Sequence, residues 1–188
     1  MGDECPVCGA SQAQNRRAGC DEWCWSCARC GDFCLKGHDA LRDVPGNDIL
    51  KRAALSHWIR TKHESIAKEP SDENGDAKCI RLDRQLVESI IKNPHPSPME
   101  QADTFIRWIG ETGPVAGHYV EVNGSSIQAL VGAASYDEFR LVFRSLEDKA
   151  LIRTETTGEG NRRVLTRVLL LMSGWERYRE LKRATSDS

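Results

Sequence analysis

With 188 residues, the chain has room for one medium domain or two small ones. Its 26 lysines and arginines against 28 aspartates and glutamates leave a formal net charge of −2. That balance argues against a uniformly basic coat of the kind that binds nucleic acid without regard to sequence. The longest apolar run, VLLLM at 168–172, is far shorter than the roughly 20 residues a bilayer-spanning helix needs. The opening MGDECPVCGASQ lacks the apolar stretch of a secretory signal. A cytoplasmic, soluble protein with no membrane partner is expected.

Residues 1–46 are rich in cysteine and glycine, and seven of the eight cysteines fall between Cys5 and Cys34. In a reducing compartment such clustering favours metal ligation over disulfides. CPVCG at 5–9 and CARCG at 27–31 are two copies of one turn, with 18 residues between Cys8 and Cys27. Two thiolates in each turn close on an ion, and the glycine after the second supplies the left-handed backbone such a knuckle needs. Cys5, Cys8, Cys27 and Cys30 are therefore the expected ligands of a structural zinc ion, Zn2+. A closed four-thiolate site folds its own loops and carries out no chemistry.

EWCWS and DFCLK then read as antiparallel strands about the second knuckle. If Trp25 lies opposite Phe33, Cys24 lies opposite Cys34 on the other face. Cys24 and Cys34 are thus a candidate extra thiol pair, open to three readings: two small strand residues, a redox pair, or a second metal site with Cys20 and His38. The run CWSCARCGDFC also has the ferredoxin spacing, so an iron–sulfur cluster on Cys24, Cys27 and Cys30 is an alternative. The absence of proline after Cys34 and of a second full run weighs against it.

Residues 47–97 read as a helical linker region. In NDILKRAALSHWIRTKHESIA the residues Ile49, Leu50, Ala53, Ala54, Leu55, Trp58 and Ile59 share a helical face, with Asn47 or Asp48 as N-cap. EPSDENGDAK is a polar loop. CIRLDRQLVESIIKN predicts a second helix, stopped by the prolines of NPHPSP. Residues 98–184 give the order helix, strand, helix, helix, hairpin, helix, which is that of a winged helix-turn-helix domain. Its elements are PMEQADTFIRWIGETG, HYVEVN, SSIQALVGA capped by Ser125 or Ser126, SYDEFRLVFRSLEDKALI, the hairpin LIRTET and RRVLTRVLLL, and SGWERYRELKRA with Ser173 as cap. Residues 185–188 are a polar tail. The predicted class is α+β: a zinc ribbon, a helical linker and a winged-helix domain.

CPVCG, WCWSCARCGDFCLKG, RAALSHWIR, PSPMEQADTFIRWIGE and GWERYRELKR together resemble a family of bacterial zinc-ribbon plus winged-helix proteins. Many members carry a C-terminal TIR-like domain related to nucleoside 2-deoxyribosyltransferases. The resemblance implies a sensor or effector role in antiviral defence. It runs in order from Cys5 to about Arg183, and the effector domain of longer members would begin about where this sequence stops. Ala28 stands where proline is common in the second knuckle.

The predicted reading helix carries Asp137 and Glu138 at its start, which suit the helix dipole but not phosphates. The wing offers Arg153, Arg162, Arg163 and Arg167, candidate contacts for nucleic acid or a protein partner, with Glu155 and Glu159 balancing them. His57 and His63 are six residues apart and share no ligating face of a helix. The five tryptophans each fall on an apolar face of their own element. There is no Walker lysine pattern, serine elbow or HExxH. The expectation is a noncatalytic binding or sensor module whose partner is a protein or effector domain. The alternatives are a DNA-binding regulator using the wing, and a thiol or iron–sulfur redox sensor.

Overall fold

The computed structural model describes residues 4–11, 13–17, 22–37, 39–44, 46–67, 79–113, 115–157 and 165–186. The chain is α+β and divides into two compact units, Met1–His95 and Pro96–Ser188.

In the first unit, β1 (Gln14–Arg17), β2 (Glu22–Cys27), β3 (Gly31–Lys36) and β4 (Ile80–Leu82) form one sheet in that order. β1, β2 and β3 are antiparallel, and β4 joins β3 in parallel. The β2–β3 register pairs Trp25 with Phe33 and Cys24 with Cys34, as the alternation of the two strands requires. Phe33, Leu35, Ile80 and Leu82 turn to the apolar face, where Leu55 and Ile59 of α1 (Ile49–Ala67) and Val87 and Ile90 of α2 (Arg84–Ile90) close the core.

Among the described residues, α1, β4 and α2 thus share one core with the ribbon strands, within the unit Met1–His95. Two local expectations are corrected here. Asp48 caps α1 by accepting from the Lys51 amide at 3.0 Å, yet Ile49 and Leu50 remain 60% and 56% exposed. The helix meets the sheet only from its second turn onward, so Ala53, Leu55 and Ile59 are its buried apolar positions. The segment expected to be helical from Cys79 begins instead as β4. Ile80 and Leu82 are buried on either side of exposed Arg81, a two-residue period, and Asp83 then caps α2 by accepting from the Leu86 amide at 2.8 Å. The free edge of β3 supplies hydrogen-bonding partners that periodicity alone does not reveal.

The second unit runs α3 (Pro98–Thr112), β5 (Val120–Asn123), α4 (Gly124–Val131), α5 (Tyr136–Asp148), β6 (Ile152–Thr157), β7 (Leu165–Leu170) and α6 (Met172–Ser186), with an antiparallel sheet in the order β5-β7-β6. Ser97, Pro98 and Glu100 start α3 with a capping box, the Ser97 amide donating to the Glu100 carboxylate at 2.7 Å. Phe105, Ile106 and Ile109 of α3, Val131 of α4, Val142 and Leu146 of α5 and Val168 of β7 are buried together.

Asn123, not Ser125 or Ser126, caps α4; its carboxamide oxygen accepts from both serine amides, at 3.0 and 3.4 Å. α5 ends at Asp148, earlier than expected, because Ala150 adopts φ 52° and turns the chain into β6. Ser173 lies inside α6 and donates to the Ala150 carbonyl, so it ties the helix to that turn and is not its cap.

Candidate metal centre

The two knuckles fold back on each other because each is a tight turn ending in glycine. The Gly9 amide donates to the Cys5 carbonyl at 2.8 Å, and Gly9 and Gly31 have φ of 72° and 92°. At Gly31 the constraint is double, since a Cβ there would come within 2.6 Å of the His63 ring.

The turns bring Cys5, Cys8, Cys27 and Cys30 together, with their sulfurs all within 4.8 Å of one another. Cys5 and Cys30 are 3.9 Å apart, and Cys8 and Cys27 are 3.6 Å apart. A tetrahedral tetrathiolate with metal–sulfur bonds of about 2.3 Å has sulfur–sulfur edges of about 3.8 Å, so the donor set fits a single ion. Cys5, Cys27 and Cys30 are buried and Cys8 is half-buried. All four predicted ligands thus sit in one candidate metal site.

Helix α1 clamps this cage with a stripe of polar side chains four residues apart. Arg52 donates to the Val7 carbonyl in the first knuckle at 2.7 Å. The Ser56 hydroxyl lies 3.2 Å from the Cys30 sulfur. Arg60 donates to the carbonyls of Arg29 and Ala28 in the second knuckle, at 2.9 and 2.6 Å, and is itself 7% exposed. The guanidiniums thus fix the backbone of both turns from one helix face. Sequence reading named none of these residues. Their four-residue spacing was visible, but only the packing of α1 shows which way it points. Replacing Arg60 with alanine should weaken metal affinity by about 10–100-fold, read by competition with a chromophoric chelator.

Without an ion the four thiols divide their protons unequally. Hydrogen bonding to Cys30, Cys5 and Cys8 draws the Cys27 thiol far below its ordinary range. Its bond with Cys27 raises Cys30 well above that range, helped by Cys5, Cys8 and burial. Cys5 is also raised, chiefly by Cys27. Cys8 is raised by Cys27 but ends lowered through Cys30 and Cys5. The cage cannot hold four thiolates unaided, whereas an ion needs all four deprotonated. The metal-free chain therefore binds more protons than the loaded one, and metal affinity should rise with pH and fall on acidification. A metal-release titration from neutral to acid pH tests the sign.

The extra thiol pair is a trio. Cys24, Cys34 and Cys79 have sulfurs within 4.8 Å of one another, so Cys79, the one cysteine outside residues 5–34, joins the predicted pair. Cys24 is grouped with Cys34 and Cys79 and not with Cys27 and Cys30, which counts against the alternative of a cluster on Cys24, Cys27 and Cys30. Cys20 and His38 lie outside the described residues.

Of the four arginines expected on a wing, Arg162 and Arg163 lie outside the described residues. Arg153 and Arg167 are exposed, on β6 and β7. Arg167 stands directly opposite Glu121 on β5 and Glu155 on β6, and its guanidinium lies 5.9 Å from the Tyr119 ring. Trp25 and Trp58 pack against the first core, and Trp108 and Trp175 against the second. An open cleft of about 440 Å³ beside the second knuckle is lined by Arg60, His63 and Asp32 among others, with Arg60 already bonded to backbone.

No family model, curated protein or solved structure matches this chain.

Proposed function

We propose that this chain is a noncatalytic binding or sensor module built on a structural zinc ion, and that its second unit is a winged helix-turn-helix presenting a surface to a protein partner. The observation that carries the reading is the closed cage of Cys5, Cys8, Cys27 and Cys30, buried and clamped by Arg52, Ser56 and Arg60. Four thiolates fill a tetrahedral shell and leave no position for substrate, the arrangement of a site that stabilises a fold. The order α3-β5-α4-α5-β6-β7-α6 around a three-stranded sheet supports the winged-helix assignment. On the resemblance to defence-associated proteins, the partner is an effector domain to which a recognised cue is relayed.

A protein partner is preferred over DNA because Arg167, central among the wing cations, is flanked across both strands by Glu121 and Glu155. Cross-strand carboxylates reduce the positive potential that phosphates would need. The DNA reading rests on the wing arginines, to which the outward face of α5 adds exposed Arg140 and Arg144 beside Tyr136 and Leu141, 62% and 66% exposed. Titration of a labelled random duplex at low and near-physiological salt separates the two. The proposal expects weak binding, equal in the wild type, in Arg162→Ala/Arg163→Ala and in Arg140→Ala/Arg144→Ala. Tight, steeply salt-dependent binding lost in either double variant would establish the DNA reading instead.

A further inference from the structure

We propose that Cys24, Cys34 and Cys79 form a thiol–disulfide exchange site, separate from the metal cage, in which Cys34 is the shared sulfur and a small-molecule disulfide is the co-reactant. The three cysteines are brought together by sheet topology. Cys34 lies on β3 between β2 and β4. Cys24 on β2 is its direct antiparallel partner. β4 runs parallel to β3 with Phe33 opposite Ile80 and Cys34 opposite Arg81. Residues two apart share a sheet face, so Cys79, two before Arg81, lies on the Cys34 side. Phe33, Leu35, Ile80 and Leu82 occupy the opposite, core-facing side. Two paired strand positions and the residue just before β4 thus put three sulfurs on one face within 4.8 Å of one another.

Cys34 Sγ stands within disulfide reach of both Cys24 and Cys79, across Cα separations of 3.9 and 6.4 Å. A sulfur holds one disulfide at a time, so the two pairings are alternative states of one site, each leaving one free thiol. Burial assigns the order of events. Cys34 is 3% exposed, whereas Cys24 and Cys79 are only half-buried, so an outside reagent meets the flanking thiols first. Arg81, opposite Cys34, reaches over to Glu22 on β2 at 3.2 Å and ties the two flanking strands together across the central one.

In the oxidation step the Cys24 thiolate attacks one sulfur of the small disulfide, forming a mixed disulfide and expelling one thiolate. The Cys34 thiolate then attacks the Cys24 sulfur, forming Cys24–Cys34 and expelling the second. Two electrons and the two protons of the cysteines leave with the two small thiols. In the exchange step the Cys79 thiolate attacks Cys34 Sγ; the Cys34–Cys79 bond forms, the Cys24–Cys34 bond breaks, and Cys24 leaves as thiolate. No net electrons move in this second step.

The test uses the zinc-loaded full chain treated with glutathione disulfide, alkylated, cut with trypsin and mapped by mass. Arg29 separates Cys24 from Cys34, and Lys78 precedes Cys79, so the three fall in separate peptides, 18–29, 30–36 and 79–81. The first also carries Cys20 and Cys27 and the second Cys30, so fragmentation of each linked pair assigns the bonded sulfurs. The expected result is both linked peptides, Cys24–Cys34 and Cys34–Cys79, in one preparation. Two of every three alkylatable thiols at this site are lost, and the metal content is unchanged. Cys79→Ser should give only the first link, Cys24→Ser only the second and Cys34→Ser none, with retained metal reporting that each variant is folded. The proposal is overturned by three freely alkylated thiols in the wild type, by a single link there indifferent to the third cysteine, or by a Cys24–Cys79 link in Cys34→Ser. A second bound metal ion that disappears in Cys34→Ser would also overturn it, as the trio would then be a metal site.

Discussion

Stripping metal from Cys5, Cys8, Cys27 and Cys30 is expected to unfold the first unit and leave the second folded. The two cores share no residue: Phe33, Leu55 and Ile59 lie in one, Phe105, Val142 and Val168 in the other. In the first, the cage is part of the core itself, because Cys5, Cys27 and Cys30 are buried against the same apolar residues. A structural zinc site contributes an apparent free energy of roughly 10–16 kcal/mol at neutral pH. A typical domain is stable by only about 5–15 kcal/mol. Losing the ion therefore exceeds what a small core can absorb, and Cys30→Ser should act in the same direction. A thermal melt of the loaded chain should show two transitions. A strong chelator, or Cys30→Ser, should abolish one and leave the other in place, and restored zinc should bring the lost transition back in the wild type alone.

The second large effect belongs to the other unit. Phe105 is fully buried in the middle of α3, with its ring centroid 4.5 Å from that of Phe143 and 6.3 Å from that of Trp108. Phe139 extends the cluster, 4.5 Å from Phe143. Phe105→Ala removes the residue that joins α3 to α5 and leaves a cavity between helices held by many other contacts. It should cost about 3–5 kcal/mol. Denaturant unfolding followed by aromatic fluorescence should shift the transition of Pro96–Ser188 strongly, with metal content and the transition of Met1–His95 unchanged. A shift of both transitions together would mean that the two units do not unfold independently.

The metal cage was legible from sequence because its signal is local and doubled. CPVCG and CARCG each prescribe a turn, and Gly9 and Gly31 take the left-handed backbone those turns require. The pairing of Cys24 with Cys34 followed from strand alternation about one knuckle. What escaped sequence reading was non-local. Cys79 joins the trio only because β4 adds to the free edge of β3 across 45 residues. The short stretch Ile80–Leu82 satisfies a two-residue period and a helical period equally well, so only the available edge decides between them. Arg52, Ser56 and Arg60 look like an ordinary solvated stripe until α1 is laid against the knuckles. Asn123 outcompetes Ser125 and Ser126 as a cap because its side chain accepts from both serine amides at once.

The central claim, that one structural zinc ion holds the two knuckles together, is tested most directly by elemental analysis and the visible spectrum of protein purified without oxygen, with Cys5→Ser alongside. One zinc per chain, no colour, and loss of that zinc in the variant are the predicted results. Iron with a visible absorbance, or no stoichiometric metal at all, would contradict the account and leave the four sulfurs as a redox centre or as plain thiols.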